Sequence, residues 1–112
     1  MEDIKEILCS ASFYKQGYFL NDKFIKLPEN VKKELRVICV CLAEKIKGIV
    51  IIGFYKDDAS VYIEVMNQPE DYLYDEIAAK YEVGFVEREN EELFSSLSLW
   101  YKTFFKGELR WK

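Results

Sequence analysis

ELRVICVCLAEKIKGIVIIGFYKDDASVYIEVM, residues 34–66, changes its hydrophobic period partway along, and that change decides the fold. Just upstream, Pro28-Glu29 puts a proline and an acid in a first helical turn, where the missing N–H costs nothing and the dipole favours a carboxylate. Val31, Leu35, Ile38, Cys39, Leu42 and Ile46 then recur at helical spacing, with Lys32, Arg36 and Lys47 opposite them, and Gly48 is expected to stop the helix. Ile49 to Tyr55 is apolar on both parities, which predicts a central strand covered on both faces. Asp57-Asp58-Ala59-Ser60 has turn chemistry. Val61 to Met66 alternates, with Val61, Ile63 and Val65 on one face and Tyr62, Glu64 and Met66 on the other, so the two strands are expected to pair as an antiparallel hairpin.

Inside the helix the seven consecutive non-polar residues from Val37 to Ala43 exceed a single stripe. A helix that is apolar all round must be covered on more than one side. Cys39 shares the core stripe with Leu35, Leu42 and Ile46, whereas Val37, Val40 and Cys41 lie off it. These three are candidate interface residues, to be covered by the final aromatic helix or by a second subunit. Trp111, which falls outside the last helix, is a fourth.

Upstream, Ser12 to Leu20 carries two aromatic clusters around Gly17 and reads as a hairpin broken by Asn21-Asp22. Downstream, Asn67-Gln68-Pro69-Glu70-Asp71 announces a second helix, expected to carry Leu73, Tyr74, Ile77, Ala78 and Tyr81 inward until Gly84 ends it. Phe85-Val86 reads as a loop or a short strand. A last helix begins near residues 87–91, sets Leu93, Phe94, Leu97, Trp100, Tyr101, Phe104 and Phe105 in a broad apolar stripe, and is closed by Gly107. The element order is therefore β-β-α-β-β-α-α. The fold class is α+β, with a small antiparallel sheet of three to four strands and helices packed mainly on one face. No linker, low-complexity tract or repeat divides the chain, so residues 1–112 are read as one domain.

A domain of 112 residues buries roughly two thirds of its unfolded surface, and eight Phe, eight Tyr and two Trp supply a large core without disulfides. Three cysteines, an acidic N-terminus without a signal-peptide pattern and no span-length apolar run point to a reduced, cytoplasmic protein that does not enter a membrane. Net charge is −4, divided as +2 over residues 1–48, −9 over 49–98 and +3 over 99–112. An acidic middle discourages direct binding of nucleic acid, whose affinity comes from neutralised phosphates. It suits a basic protein partner.

Chemistry is narrowly bounded. With no histidine, imidazole-based nucleophile activation, acid/base work and His-containing metal sites are excluded. The five glycines are too dispersed for a phosphate-cradling loop. Cys39 and Cys41 stand two apart on a helix, about 200° around it, and Cys9 makes three thiols, one short of a four-cysteine zinc site; all three read as small hydrophobes. Ser12 to Lys15 matches Ser-x-x-Lys, but the companion motifs are absent and the segment reads as strand. Glu70, Asp71, Asp75 and Glu76 are first-turn acids of the second helix, and residues 87–92 are a solvated helix start. The basic aromatic end, residues 100–112, reads as core rings with solvated lysines. No cofactor, metal or catalytic residue is assigned, and the chain reads as a non-enzyme.

Leu8-Cys9, Tyr18-Phe19-Leu20-Asn21, Leu27-Pro28-Glu29 with Val31-Lys32 and Glu34-Leu35, and Cys39-Val40 follow one another in a distinctive order. Leu73-Tyr74-Asp75-Glu76-Ile77, Glu91-Glu92-Leu93-Phe94, Leu97, Leu99, Tyr101-Lys102 and Phe104-Phe105 continue it. In this order the chain resembles a family of small bacterial proteins of unknown function, chiefly clostridial. The resemblance rests on packing and helix-start residues; it implies no activity, cofactor or catalytic residue. The expected role is a non-catalytic binding or assembly module of the bacterial cytoplasm, self-associating through the second side of the Val37–Ala43 helix or an uncovered sheet face. One alternative is a small-ligand sensor or carrier with an aromatic pocket. The other is an acidic decoy for a basic protein, which requires Asp57, Glu64, Glu70, Asp71, Asp75 and Glu89 to share a face.

Overall fold

The computed structural model of the chain describes residues 4–106. Its first strand, β1 (Lys5–Ser12), lies upstream of the predicted hairpin; Phe13 to Gln16 form the turn, and β2 (Gly17–Leu20) returns. A β-bulge hides β1 from a period-of-two reading. The register against the third strand slips between Ile7 and Cys9, and Leu8 and Cys9 are both fully buried although they are consecutive. Asn21 satisfies the carbonyls there: its side-chain amide donates to the Ile7 oxygen at 2.7 Å and its backbone N–H to the Leu8 oxygen at 2.9 Å.

Helix α1 (Glu29–Ile46) follows a short 3-10 turn, Asp22–Phe24, and buries Leu35, Cys39, Leu42, Ala43 and Ile46. Its stop differs from the sequence expectation. The left-handed residue is Lys47, at φ 57°, and the Gly48 N–H closes the helix on the Ala43 oxygen at 3.2 Å. Gly48 is required for space, since a Cβ there would stand 2.8 Å from the Met66 oxygen and from the Tyr74 ring.

Strands β3 (Ile49–Tyr55) and β4 (Val61–Met66) pair as expected and complete an antiparallel sheet of order β2-β1-β3-β4. Val50, Ile52 and Phe54 are fully buried under the helices, in register with Val65, Ile63 and Val61 of β4. The opposite face carries no helix among the described residues, so β3 is not covered on both sides. Ile49, Ile51 and Tyr55 are half-buried there beside exposed Ile7, Phe19 and Met66. The Tyr62 ring lies across Gly53, where a Cβ would stand 2.7 Å from it.

The second helix starts later than predicted. Residues 67–75 form a loop, and α2 (Glu76–Glu89) begins only where the Asp75 carboxylate accepts the Ala78 N–H at 3.0 Å. Asp71 is not a first-turn acid: it accepts from the Tyr14 hydroxyl at 2.6 Å and from the Leu73 N–H at 3.2 Å. Gly84 lies inside α2, and Phe85-Val86 is helical. Asn90 separates α2 from α3 (Glu91–Tyr101), which continues as a π-type turn, Lys102–Lys106. Leu97 and Tyr101 are buried, and Tyr101 stacks between Phe54 at 4.3 Å and Phe105 at 5.4 Å. Phe104 points outward. Gly107 and Trp111 lie outside the described residues.

Candidate functional site

Capped by Asp75, α2 packs on the core with a different face from the one predicted. Ala79, Val83 and Val86, spaced four and three apart, turn toward the core; Ala79 is buried, and the two valines pack partly buried against the core cluster. Ile77, Tyr81 and Phe85, spaced four apart, then form a ridge on the outer face, 84%, 68% and 42% exposed. Leu73, 95% exposed, and Tyr72 extend the apolar surface along the preceding loop. Of the residues expected inward, Leu73, Ile77, Ala78 and Tyr81 are found outward and Tyr74 is half-buried. The smaller side chains, Ala79, Val83 and Val86, face the core where α2 meets α1 and β4, a close approach that leaves the larger ones to solvent. The helix is thus apolar on two sides with one side covered.

Two observations define the surroundings of this ridge. Lys45 of α1 reaches over its edge, with Nζ 6.0 Å from the Phe85 ring centre and 3.7 Å from the Glu82 carboxylate. Arg88 folds back toward the ridge's one bare position, so that a Cβ at Gly84 would stand 3.4 Å from its Nη1.

The residues singled out on α1 lie on a smaller surface. Val37 is 60% exposed, Cys41 is exposed and Val40 is partly buried. The final helix does not cover them: it packs at the other end of the sheet, where Tyr101 stacks on Phe54 and the Ser98 hydroxyl donates to the Ala59 oxygen at 2.7 Å. Between α1 and the β1–β2 turn lies a cleft of about 300 Å³ lined by Phe13, Tyr18, Arg36, Val40 and Cys41 among others. The Arg36 guanidinium sits 5.7 Å from the Tyr18 ring centre. Below it the Tyr18 hydroxyl is shut in beside Cys9 and Cys39, and burial first, then the thiols, pushes it well above the usual phenol range. A hydrogen bond with Cys9, together with burial, likewise pushes the Cys39 thiol far up. Cys39 is therefore held protonated, the opposite of what a nucleophilic or metal-binding cysteine needs.

The acidic residues do not gather. Asp57 lies in the β3–β4 turn at one end of the sheet, and Glu70, Asp71 and Asp75 lie in the loop after β4 at the other. Glu64 is bound to Lys5 at 2.5 Å, Asp75 caps α2, and Glu89 is the last residue of that helix. Three of them, Glu70, Asp71 and Asp75, share a loop. The signal that sequence reading passed over was the Ala79-Val83-Val86 spacing counted from an Asp75 cap.

Residues 5–109 match the family described as a family of unknown function, DUF6145, and the chain belongs to that family. No curated protein and no solved structure matches the chain. No helix among the described residues is long and apolar enough to cross a membrane.

Proposed function

We propose that the protein is a non-catalytic binding module of the bacterial cytoplasm that self-associates, and that the outer face of α2 is its docking surface. One observation carries this reading: Ile77, Tyr81 and Phe85 form a continuous ridge on a helix whose other apolar side already packs on the core. Large apolar side chains contiguous on a monomer's surface mark interaction sites, whereas single ones do not. The uncovered sheet face is a poorer surface for the purpose. Its apolar residues are interleaved with Ser10, Ser12 and the Lys5–Glu64 ion pair, and Tyr62 is buried by its neighbours.

Support for the alternatives is thinner. The cleft beside α1 stands at the lower end of small-molecule site volumes, about 300 Å³, with Phe13 and Tyr18 as its rings. The acids of the decoy reading are divided between the two ends of the sheet. Light scattering across the micromolar range tests the main reading. The molar mass is expected to rise from that of one chain toward twice that value, and a strictly monomeric species throughout contradicts it.

A further inference from the structure

We infer that the occupant of the α2 face is the α2 helix of a second copy, crossing it in antiparallel sense at Gly84; this rests on reading that face as the docking surface. The argument is one of self-complementarity. A two-fold axis perpendicular to both helices brings each flank of α2 against the same flank of its partner, with sequence positions running in opposite directions. Lys80 and Glu87 are both exposed and lie on one flank two turns apart, at about 100° per residue from Tyr81. Among the described residues neither has an ionic partner. Their midpoint falls beside Gly84, so a two-fold there sets each Lys80 opposite the partner copy's glutamate at position 87. Tyr81 and Arg88 lie on the outer face, and their midpoint also falls beside Gly84. The two midpoints are one residue apart, so an axis at Gly84 lies about half a residue from each and brings each Tyr81 ring to within about 1.5 Å, along the helix, of the level of a guanidinium, a favourable cation–π pairing.

Gly84 explains why the crossing belongs at this point. A glycine inside an exposed helix weakens it, and the chain does not need this one to turn or to make room: α2 runs through it, and a Cβ would meet only the far end of Arg88. Its remaining use is close approach of a second backbone, with helix axes about 8 Å apart rather than 10 Å, once the exposed Arg88 side chain swings from over Gly84 to the partner's Tyr81 ring. A single helix pair buries an area at the low end of stable interfaces, which sets the expected dissociation constant in about the micromolar range.

Charge exchange tests the inference by sedimentation equilibrium on the full chain. Lys80→Glu and Glu87→Lys are surface changes, with circular dichroism to check that each variant stays folded. Each alone sets like charges together twice across the axis and is expected to weaken self-association about tenfold. An equimolar mixture of the two variants restores both opposite-charge pairs in the heterodimer, and association is expected to return to the wild-type level. Wild-type self-association that neither variant weakens, or a mixture no tighter than its components, overturns the antiparallel crossing and leaves the docking face standing. A wild-type chain that stays monomeric overturns both.

Discussion

Glu6 shows how one side chain joins the two ends of the chain. Its carboxylate accepts from the Tyr101 hydroxyl at 2.9 Å and is paired with the Lys23 ammonium at 2.6 Å, tying β1 to α3 and to the 3-10 turn. Burial raises the cost of its charge, but the Lys23 and Tyr101 contacts outweigh that cost and hold the carboxyl below its ordinary 4.5. Burial first, then the hydrogen bond to the Glu6 carboxylate, pushes the Tyr101 phenol up to about 12, so it remains a donor. A carboxyl depressed in the folded state contributes stability that is present above its unfolded pKa and is lost as pH falls through the folded one. Glu6→Gln is expected to cost about 1–2 kcal/mol in urea unfolding at neutral pH. The difference from the wild type should shrink as the pH drops below 4.5, and a constant difference would contradict the assignment. Neither partner was legible from sequence spacing, because Tyr101 lies 95 residues from Glu6.

Helix α2 is the element on which sequence and structure part. Pro69-Glu70 has the chemistry of a helix start, and counting from it points Leu73, Ile77 and Tyr81 inward. The structure uses Asp71 instead to anchor the loop on Tyr14 and leaves Asp75 to cap. The proline rule marks where a helix can begin, and tertiary hydrogen bonds choose among such places. Asp75→Ala is expected to lower stability by about 1 kcal/mol in thermal or urea unfolding, whereas Asn67→Ala should stay within about 0.5 kcal/mol. Equal effects would contradict Asp75 as the cap of α2. By contrast α1, β3 and β4 were legible nearly to the residue, because one strong period and one turn define each. Strand β1 was hidden for the opposite reason: its bulge buries Leu8 and Cys9 together and erases the alternation.

At the scale of the whole molecule, the element order and the one-sided packing of helices on an antiparallel sheet follow from patterning alone. Surplus apolar surface was also legible, but not its place. Within the apolar run from Val37 to Ala43 on α1, Cys39, Leu42 and Ala43 are ordinary core, and Val37 and Cys41 are left at the rim of a cleft. More large apolar side chains stand unpartnered on α2, where Ile77, Tyr81 and Phe85 lie on the outer face and Lys45 alone reaches over the edge at Phe85. Sequence reading places the surplus on α1 or an uncovered sheet face because it turns Leu73, Ile77 and Tyr81 inward and so leaves α2 no second apolar side. Sedimentation velocity of the wild type, Tyr81→Glu and Val37→Glu over the same micromolar concentrations measures the difference directly. The account predicts dimers for the wild type and Val37→Glu and a folded monomer for Tyr81→Glu; a dimeric Tyr81→Glu beside a monomeric Val37→Glu would contradict it.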